Sequence, residues 1–140
     1  MDAMDTVQST LDRVLLPYGI TSHRGRRVDV DRIIINGNEI PVNRDEYVVY
    51  RLVSSPSGAY GDGKALTERK FVDVNYYYRY EKCDNRVKEV EKRIKEIKRA
   101  LLSNPMIRLA NGESDLPDID SPYRGINLEF RLIGVADDGK

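Results

Sequence analysis

Residues 65–80 read ALTERKFVDVNYYYRY, and a helix-patterned run, DNRVKEVEKRIKEIKRALL, follows almost at once at 84–102. In the first stretch Val72, Val74, Tyr76 and Tyr78 fall on one side, and Phe71, Asp73, Asn75, Tyr77 and Arg79 on the other, the period-2 alternation of a strand. The valine side is the expected core face. Tyr77 gives the opposite face an aromatic of its own, so that face is expected to be partly covered too. In the second stretch Val87, Val90, Ile94, Ile97 and Leu101 recur at intervals of three and four, a stripe barely wider than a coiled-coil seam on a charged body. Asp84 or Asn85 is placed to cap this helix. Glu89–Arg93 and Glu91–Lys95 stand at i,i+4 and contribute about 0.2–0.5 kcal/mol each. Asn104-Pro105 ends it, so a helix from Arg86 to Leu102 runs roughly 26 Å.

Outward from this unit the pattern is that of a small α+β domain. EYVVYRLVS (46–54) is β-branched and aromatic almost throughout and predicts a second long strand. Its Tyr47, Val49, Arg51 and Val53 share one face, and Val48, Tyr50 and Leu52 the other. The Gly-, Pro- and Ser-rich loop at 55–64 joins the two strands into a long hairpin. Ile33–Ile35, Asn36-Gly37 and Glu39–Val42 predict a smaller hairpin, because Asn-Gly tolerates the positive φ of a type I′ turn. Pro41 cannot donate to a ladder and directs that hairpin to a sheet edge. Asp5 or Thr6 opens an amphipathic helix reaching about Leu16, with Val7, Leu11, Val14 and Leu15 on one face, and Pro17 and Gly19 stop it. MIRLA (106–110) is a short strand, and INLEFRLIGV (126–135) closes the fold with Leu128, Phe130 and Leu132 on one side. The prediction is a single α+β domain over 1–140 with its core at about 5–135. Its sheet is mostly antiparallel and is packed by an N-terminal helix and a longer central one. Flexible loops are expected at about 22–32, 54–65 and 111–124, with a polar tail at 136–140.

The composition narrows the function classes. Lys plus Arg and Asp plus Glu both number 23, so no global field draws the chain toward nucleic acid or an anionic membrane. One cysteine, Cys83, excludes an intrachain disulfide and a cysteine-based zinc site. The first ten residues lack the basic and apolar regions of a signal peptide. No apolar run approaches the roughly 20 residues that span a bilayer. The expectation is a soluble, intracellular protein.

Each candidate for chemistry lacks a component. Gly58 to Lys64 has the spacing of a phosphate-binding loop, but Ala65 stands where Ser or Thr would reach Mg²⁺, and a strand pattern follows instead of a helix. His23, the one histidine, sits in a basic loop with no partner nearby in sequence. Cys83, at the strand-to-helix junction, has no second thiol or histidine beside it. Asp115, Asp118 and Asp120 lack the ligand spacing of a calcium loop. No catalytic residue, cofactor or metal is assigned. Tyr76, Tyr77, Tyr78 and Tyr80 around Arg79 could stack single-stranded nucleic acid, but Asp73, Glu81 and Asp84 lie close by, and core plus protein interface is the favoured role. Arg24, Arg26 and Arg27 form the one basic cluster, suited to an acidic partner surface or passing DNA.

The order of elements resembles the tail terminator proteins of long-tailed bacteriophages, also called tail-completion or head-to-tail joining proteins. The residues that carry the resemblance are the first helix, EYVVYRLVSSPSGAYGDGKALTERKFVDVNYYYRY (46–80) with Tyr60 and Asp62 in its loop, VKEVEKRIKEIKRALL (87–102) and NLEFRLIGV (127–135). It covers roughly Asp45 to Val135. The segments 22–42 and 111–124 are longer than the family pattern. The resemblance implies a non-enzymatic structural protein that forms a ring with copies of itself, typically a hexamer, at the head-proximal end of the virion tail after assembly in the host cytoplasm. Such a ring caps the tail tube protein, stops polymerisation and meets the head connector, and DNA passes its lumen as cargo. Asn75, Tyr77 and Arg79 are the candidate subunit interface. Arg24, Arg26, Arg27, Tyr60, Asp62 and Lys64 are the candidate contacts to tube or connector. Another head–tail connector, a tail-tube component or a small nucleic-acid-binding α+β module are the alternative readings.

Overall fold

The computed structural model describes residues 3–56, 68–79, 86–116 and 122–133. Helix α1 (Ala3–Leu15) runs into a 3₁₀ turn (Leu16–Tyr18), then strand β1 (Thr21–Arg24) and a small hairpin of β2 (Ile33–Ile35) and β3 (Asn38–Ile40). Strands β4 (Glu46–Pro56) and β5 (Glu68–Arg79), helix α2 (Arg86–Leu102), β6 (Ile107–Asp115) and β7 (Tyr123–Leu132) follow. The main sheet has five strands in the order β1-β4-β5-β7-β6, and β2 and β3 make a separate two-stranded sheet. The class is α+β, and every pairing except the parallel β1–β4 is antiparallel.

Alternation puts one side of the sheet against both helices. Val48 and Tyr50 of β4, Val72, Val74 and Tyr76 of β5, and Leu128, Phe130 and Leu132 of β7 are buried there in one cluster with Met4, Val7, Leu11 and Leu15 of α1 and Val90, Ile94, Ile97 and Leu101 of α2. The expected core face of β5 is therefore observed at Val72, Val74 and Tyr76, with Tyr78 partly buried against it, and the α2 stripe is observed at Val90, Ile94, Ile97 and Leu101, while the side chain of Val87 lies outside the described residues; Leu52 on β4 is left exposed. Burying a Val, Leu or Ile side chain is worth about 1.5–3 kcal/mol relative to exposure. This face thus supplies most of the driving force for folding.

A charged pair lies within this layer. Glu46, at the start of β4, is buried together with Tyr76. Arg93 of α2 reaches Glu46 Oε1 with Nη1 at 2.7 Å, the Tyr76 hydroxyl donates to the same oxygen at 2.5 Å, and Asn43 Nδ2 donates to Oε2 at 3.2 Å. Burial, and then the neighbouring carboxylate, push the Tyr76 phenol well above its ordinary range, so it remains a donor. Arg93 also stacks over Tyr18, 4.8 Å from the ring centroid, and Tyr18 donates to Glu96 at 3.0 Å. The expected Glu89–Arg93 pair is present at 3.6 Å but secondary, since Glu89 is largely exposed.

Several sequence expectations need correction. Helix α1 begins at Ala3, which puts Asp5 in its first turn instead of at a cap; there its charge still favours the helix dipole. Residues 21–24, read mostly as loop, form β1, whose register partners are Tyr47 to Tyr50. The small hairpin turns through Asn36 and Gly37 with φ of 51° and 82° as expected, but it stands apart from the main sheet. The acidic stretch after Ala110 continues β6 to Asp115, with a register shift between Leu109 and Gly112, so Asp115 pairs with Ile126 instead of serving a cation loop. Gly19, φ 76°, ends the 3₁₀ turn. A Cβ there would lie 2.1 Å from the Pro41 carbonyl oxygen, so only glycine fits.

Replacing Glu46 by Ala leaves the Arg93 guanidinium buried without its carboxylate, and such breakage costs about 3–5 kcal/mol. Urea unfolding is expected to show that loss for Glu46→Ala, a smaller one for Glu46→Gln, and further destabilisation of Glu46→Ala above that of the double variant with Arg93→Met.

Candidate functional site

The side of the sheet away from the helices carries the residues the sequence singled out. Register alone assembles them into rows. Thr21, Tyr47, Tyr77 and Gly125 stand side by side across β1, β4, β5 and β7. In the next row are His23, Val49, Asn75, Asn127 and Ser114. Because Tyr47 and Tyr77 are direct partners, their rings stack at 5.0 Å with 21° between planes. Gly125 leaves the space Tyr77 needs: a Cβ at 125 would approach Tyr77 Cε1 to 3.1 Å and Leu116 Cδ1 to 2.4 Å. Tyr123 meets Tyr47 edge-on at 5.3 Å, the preferred alternative to a face-to-face pair.

Two arginines close the cluster. Arg27 lies 4.1 Å from the Tyr47 ring centroid and 5.7 Å from that of Tyr123. Its Nη1 donates to the Tyr123 hydroxyl at 3.3 Å, and that hydroxyl donates to the Arg44 carbonyl at 3.0 Å. Arg79 stands 5.7 Å from the Tyr123 ring. Desolvation raises the Tyr47 pKa despite the opposing charge of Arg27, so its phenol stays neutral. One row along, Asn127 Nδ2 donates to Asn75 Oδ1 at 2.8 Å.

Three of the nine site residues named from sequence therefore join one cluster: Tyr77, Arg79 and Arg27. Asn75 lies in the adjoining row. Arg24 and Arg26 are exposed and stay apart from it. Tyr60, Asp62 and Lys64 lie outside the described residues, as do the loop from Gly58, Cys83, Tyr80, Asp118 and Asp120. The four-tyrosine platform is divided, since Tyr76 is buried in the core and Tyr78 packs against it. Tyr47 and Tyr123 are the members the sequence did not single out. Tyr47 was already assigned to the correct face, and the hairpin register would have matched it to Tyr77; Tyr123 fell in an expected loop. The cluster offers ring edges, phenol hydroxyls and a held guanidinium, the chemistry of a protein contact surface.

His23 also differs from expectation. Instead of an exposed loop residue it is a buried member of β1, 8 % exposed. It bonds Thr21 Oγ1 through Nε2 at 2.7 Å, while Nδ1 accepts from the Val28 amide at 3.4 Å. A neutral ring carrying its proton on Nε2 satisfies both contacts. Burial first, and Arg27 second, lower its pKa.

No protein-family model matches the chain, and a search of curated proteins returns no match. Among the described residues, no helix is long and apolar enough to cross a membrane.

Two outcomes are expected. A double-mutant cycle with Arg27→Ala and Tyr47→Leu should give a coupling of about 0.5–2 kcal/mol in chemical unfolding, the range of a partly desolvated cation–π contact. Second, a histidine whose folded pKa lies below its unfolded value stabilises the neutral form. Its contribution is complete above pH 6.5 and is lost as pH falls through the lower folded pKa. Unfolding of the native chain should therefore lose stability from pH 7 toward pH 5 more steeply than that of His23→Gln.

Proposed function

We propose that the chain is a non-enzymatic assembly protein of a long-tailed phage virion. It forms a hexameric ring with copies of itself, caps the tail tube, ends tail polymerisation and joins the tail to the head connector. The observation that carries the reading is the order and placement of elements. An N-terminal helix, a long β4–β5 hairpin, one amphipathic helix and two closing strands form a sheet with both helices on one side. That arrangement supports the reading together with the resemblance carried by roughly Asp45 to Val135. It leaves the tyrosine–arginine side of the sheet, with its half-buried Tyr47, Tyr77 and Tyr123, for contacts with other proteins.

Contacts around a ring are heterologous, so each subunit uses two different patches. In this reading the protein acts at the head-proximal end of the tail after assembly in the host cytoplasm, with DNA passing through as cargo.

A stop codon in the gene, in the phage that carries it, is expected to give headless tails of irregular length in electron micrographs, and supplying the chain in trans should restore uniform, joined tails. Tails of normal length already attached to heads would reject the proposal. Uniform tails that fail only at joining would point to a connector role instead.

A further inference from the structure

A groove of about 610 Å³ opens on the outer side of the sheet, lined by Phe71, Arg108, Leu109, Ala110, Glu129, Arg131 and Ile133. Its charge placement is unusual. Arg108 of β6 and Arg131 of β7 are direct register partners, so two guanidinium groups emerge side by side from neighbouring strands, an arrangement that destabilises a sheet unless an anion lies between them. Both are exposed, and neither has an ion-pair partner among the described residues. Glu129, the carboxylate in the lining, is already engaged in an interaction within the chain. Leu109 and Ile133 are 41 % and 36 % exposed, so the groove combines apolar walls with two cations that have no ion-pair partner among the described residues.

The chain also carries the complement of this groove. Residues Val28, Asp29, Val30 and Asp31 lie outside helix and strand and alternate apolar with acidic. Val28 is 57 % exposed, Asp29 and Asp31 are exposed, and neither aspartate has an ion-pair partner among the described residues. The Val28 amide bonds His23 of β1, which anchors this segment beside the strand at one end of the sheet order, whereas Arg108 belongs to β6 at the other end. The two patches differ: the segment lies beside the β1 edge, and the groove spans β5, β7 and the opposite edge strand β6.

We infer that the groove between Arg108 and Arg131 receives the Val28–Asp31 segment of a second copy of this chain. Asp29 and Asp31 neutralise the paired guanidinium groups, and Val28 and Val30 cover Leu109, Phe71 and Ile133. The contact is heterologous, so repeating it builds a ring if the rotation closes and a filament if it does not. The inference rests on the reading of the protein as one that assembles with itself, and it names the surfaces that join.

Sedimentation velocity of the full chain, from micromolar to near-millimolar concentration, tests the pairing through charge exchange. Self-association is expected for the native chain and should weaken as salt rises from about 0.05 M to about 0.5 M. Arg108→Glu with Arg131→Glu, or Asp29→Arg with Asp31→Arg, should each raise the apparent dissociation constant about tenfold or more. An equimolar mixture of the two variants should recover association, because each reversed patch then meets a complementary one; so should the chain carrying all four changes. The neutral pairs Arg108→Gln with Arg131→Gln and Asp29→Asn with Asp31→Asn repeat the test in milder form, and circular dichroism melts check that every variant is folded. A native chain that stays monomeric throughout, reversals without effect, or a mixture that fails to recover would each overturn the inference. Rings that assemble and cap tails whatever these charges would sink the pairing and leave the assembly role standing. Charge-exchanged association in a chain whose loss leaves tails unchanged would do the reverse.

Discussion

The carboxylate of Glu46 sits in the helix-facing layer, 2 % exposed, and the packing of that layer depends on how it is neutralised. A bare carboxylate at this depth would cost several kcal/mol. Arg93 brings the opposite charge from α2, Tyr76 brings a hydroxyl from β5, and Asn43 brings an amide from the segment leading into β4. Each partner comes from a different part of the fold, so the three bonds can be made together only when α2 lies in one position over the sheet. Apolar contacts alone are less directional, whereas these bonds fix the distances between Glu46 and its partners on α2 and β5. Tyr18 over Arg93 ties the end of the first helical segment to the same point.

With the helices held on one side, the other side of the sheet is left uncovered by them. Its character changes along the strands. At the Tyr47–Tyr77 end, rings and Arg27 pack on one another and leave a firm, half-buried contact surface. At the Val53–Phe71–Arg131–Arg108 end the row is open and cationic, with apolar neighbours. Such a division suits a subunit that meets different partners at the two ends of one sheet. The paired strands β4 and β5 run through both regions.

What could be read in the sequence was whatever depended on local periodicity. Helix α2 runs from Arg86 to Leu102 as its three–four spacing required, and the Asn36-Gly37 turn has the positive φ values its residues favour. Strand β1 was missed because Thr-Ser-His-Arg has no alternation of its own to announce a strand; it is one because β4 offers it a parallel edge. The same pairing buries His23, which its polar surroundings in sequence had marked as exposed. Asn-Gly-Glu-Ser-Asp reads as loop chemistry, yet a register shift lets it continue β6. At the outer site, Tyr77 and Arg79 were singled out together but Arg27 in a separate group, since only the three-dimensional register brings a loop arginine over a strand tyrosine. Glu46 was invisible as a buried charge because its partner lies 47 positions away in the chain.

The central claim is that copies of this chain join through the helix-free side of the sheet. Cross-linking of the assembled protein with a carboxylate-to-amine reagent would not reach arginine, so the direct measurement is electron cryo-microscopy of the assembly at side-chain resolution. The account predicts density for Val28–Asp31 of one subunit against Arg108 and Arg131 of the next, with α1 and α2 turned away from the joint. An assembly held together through the α1 and α2 surfaces, with the groove open to solvent, would contradict it.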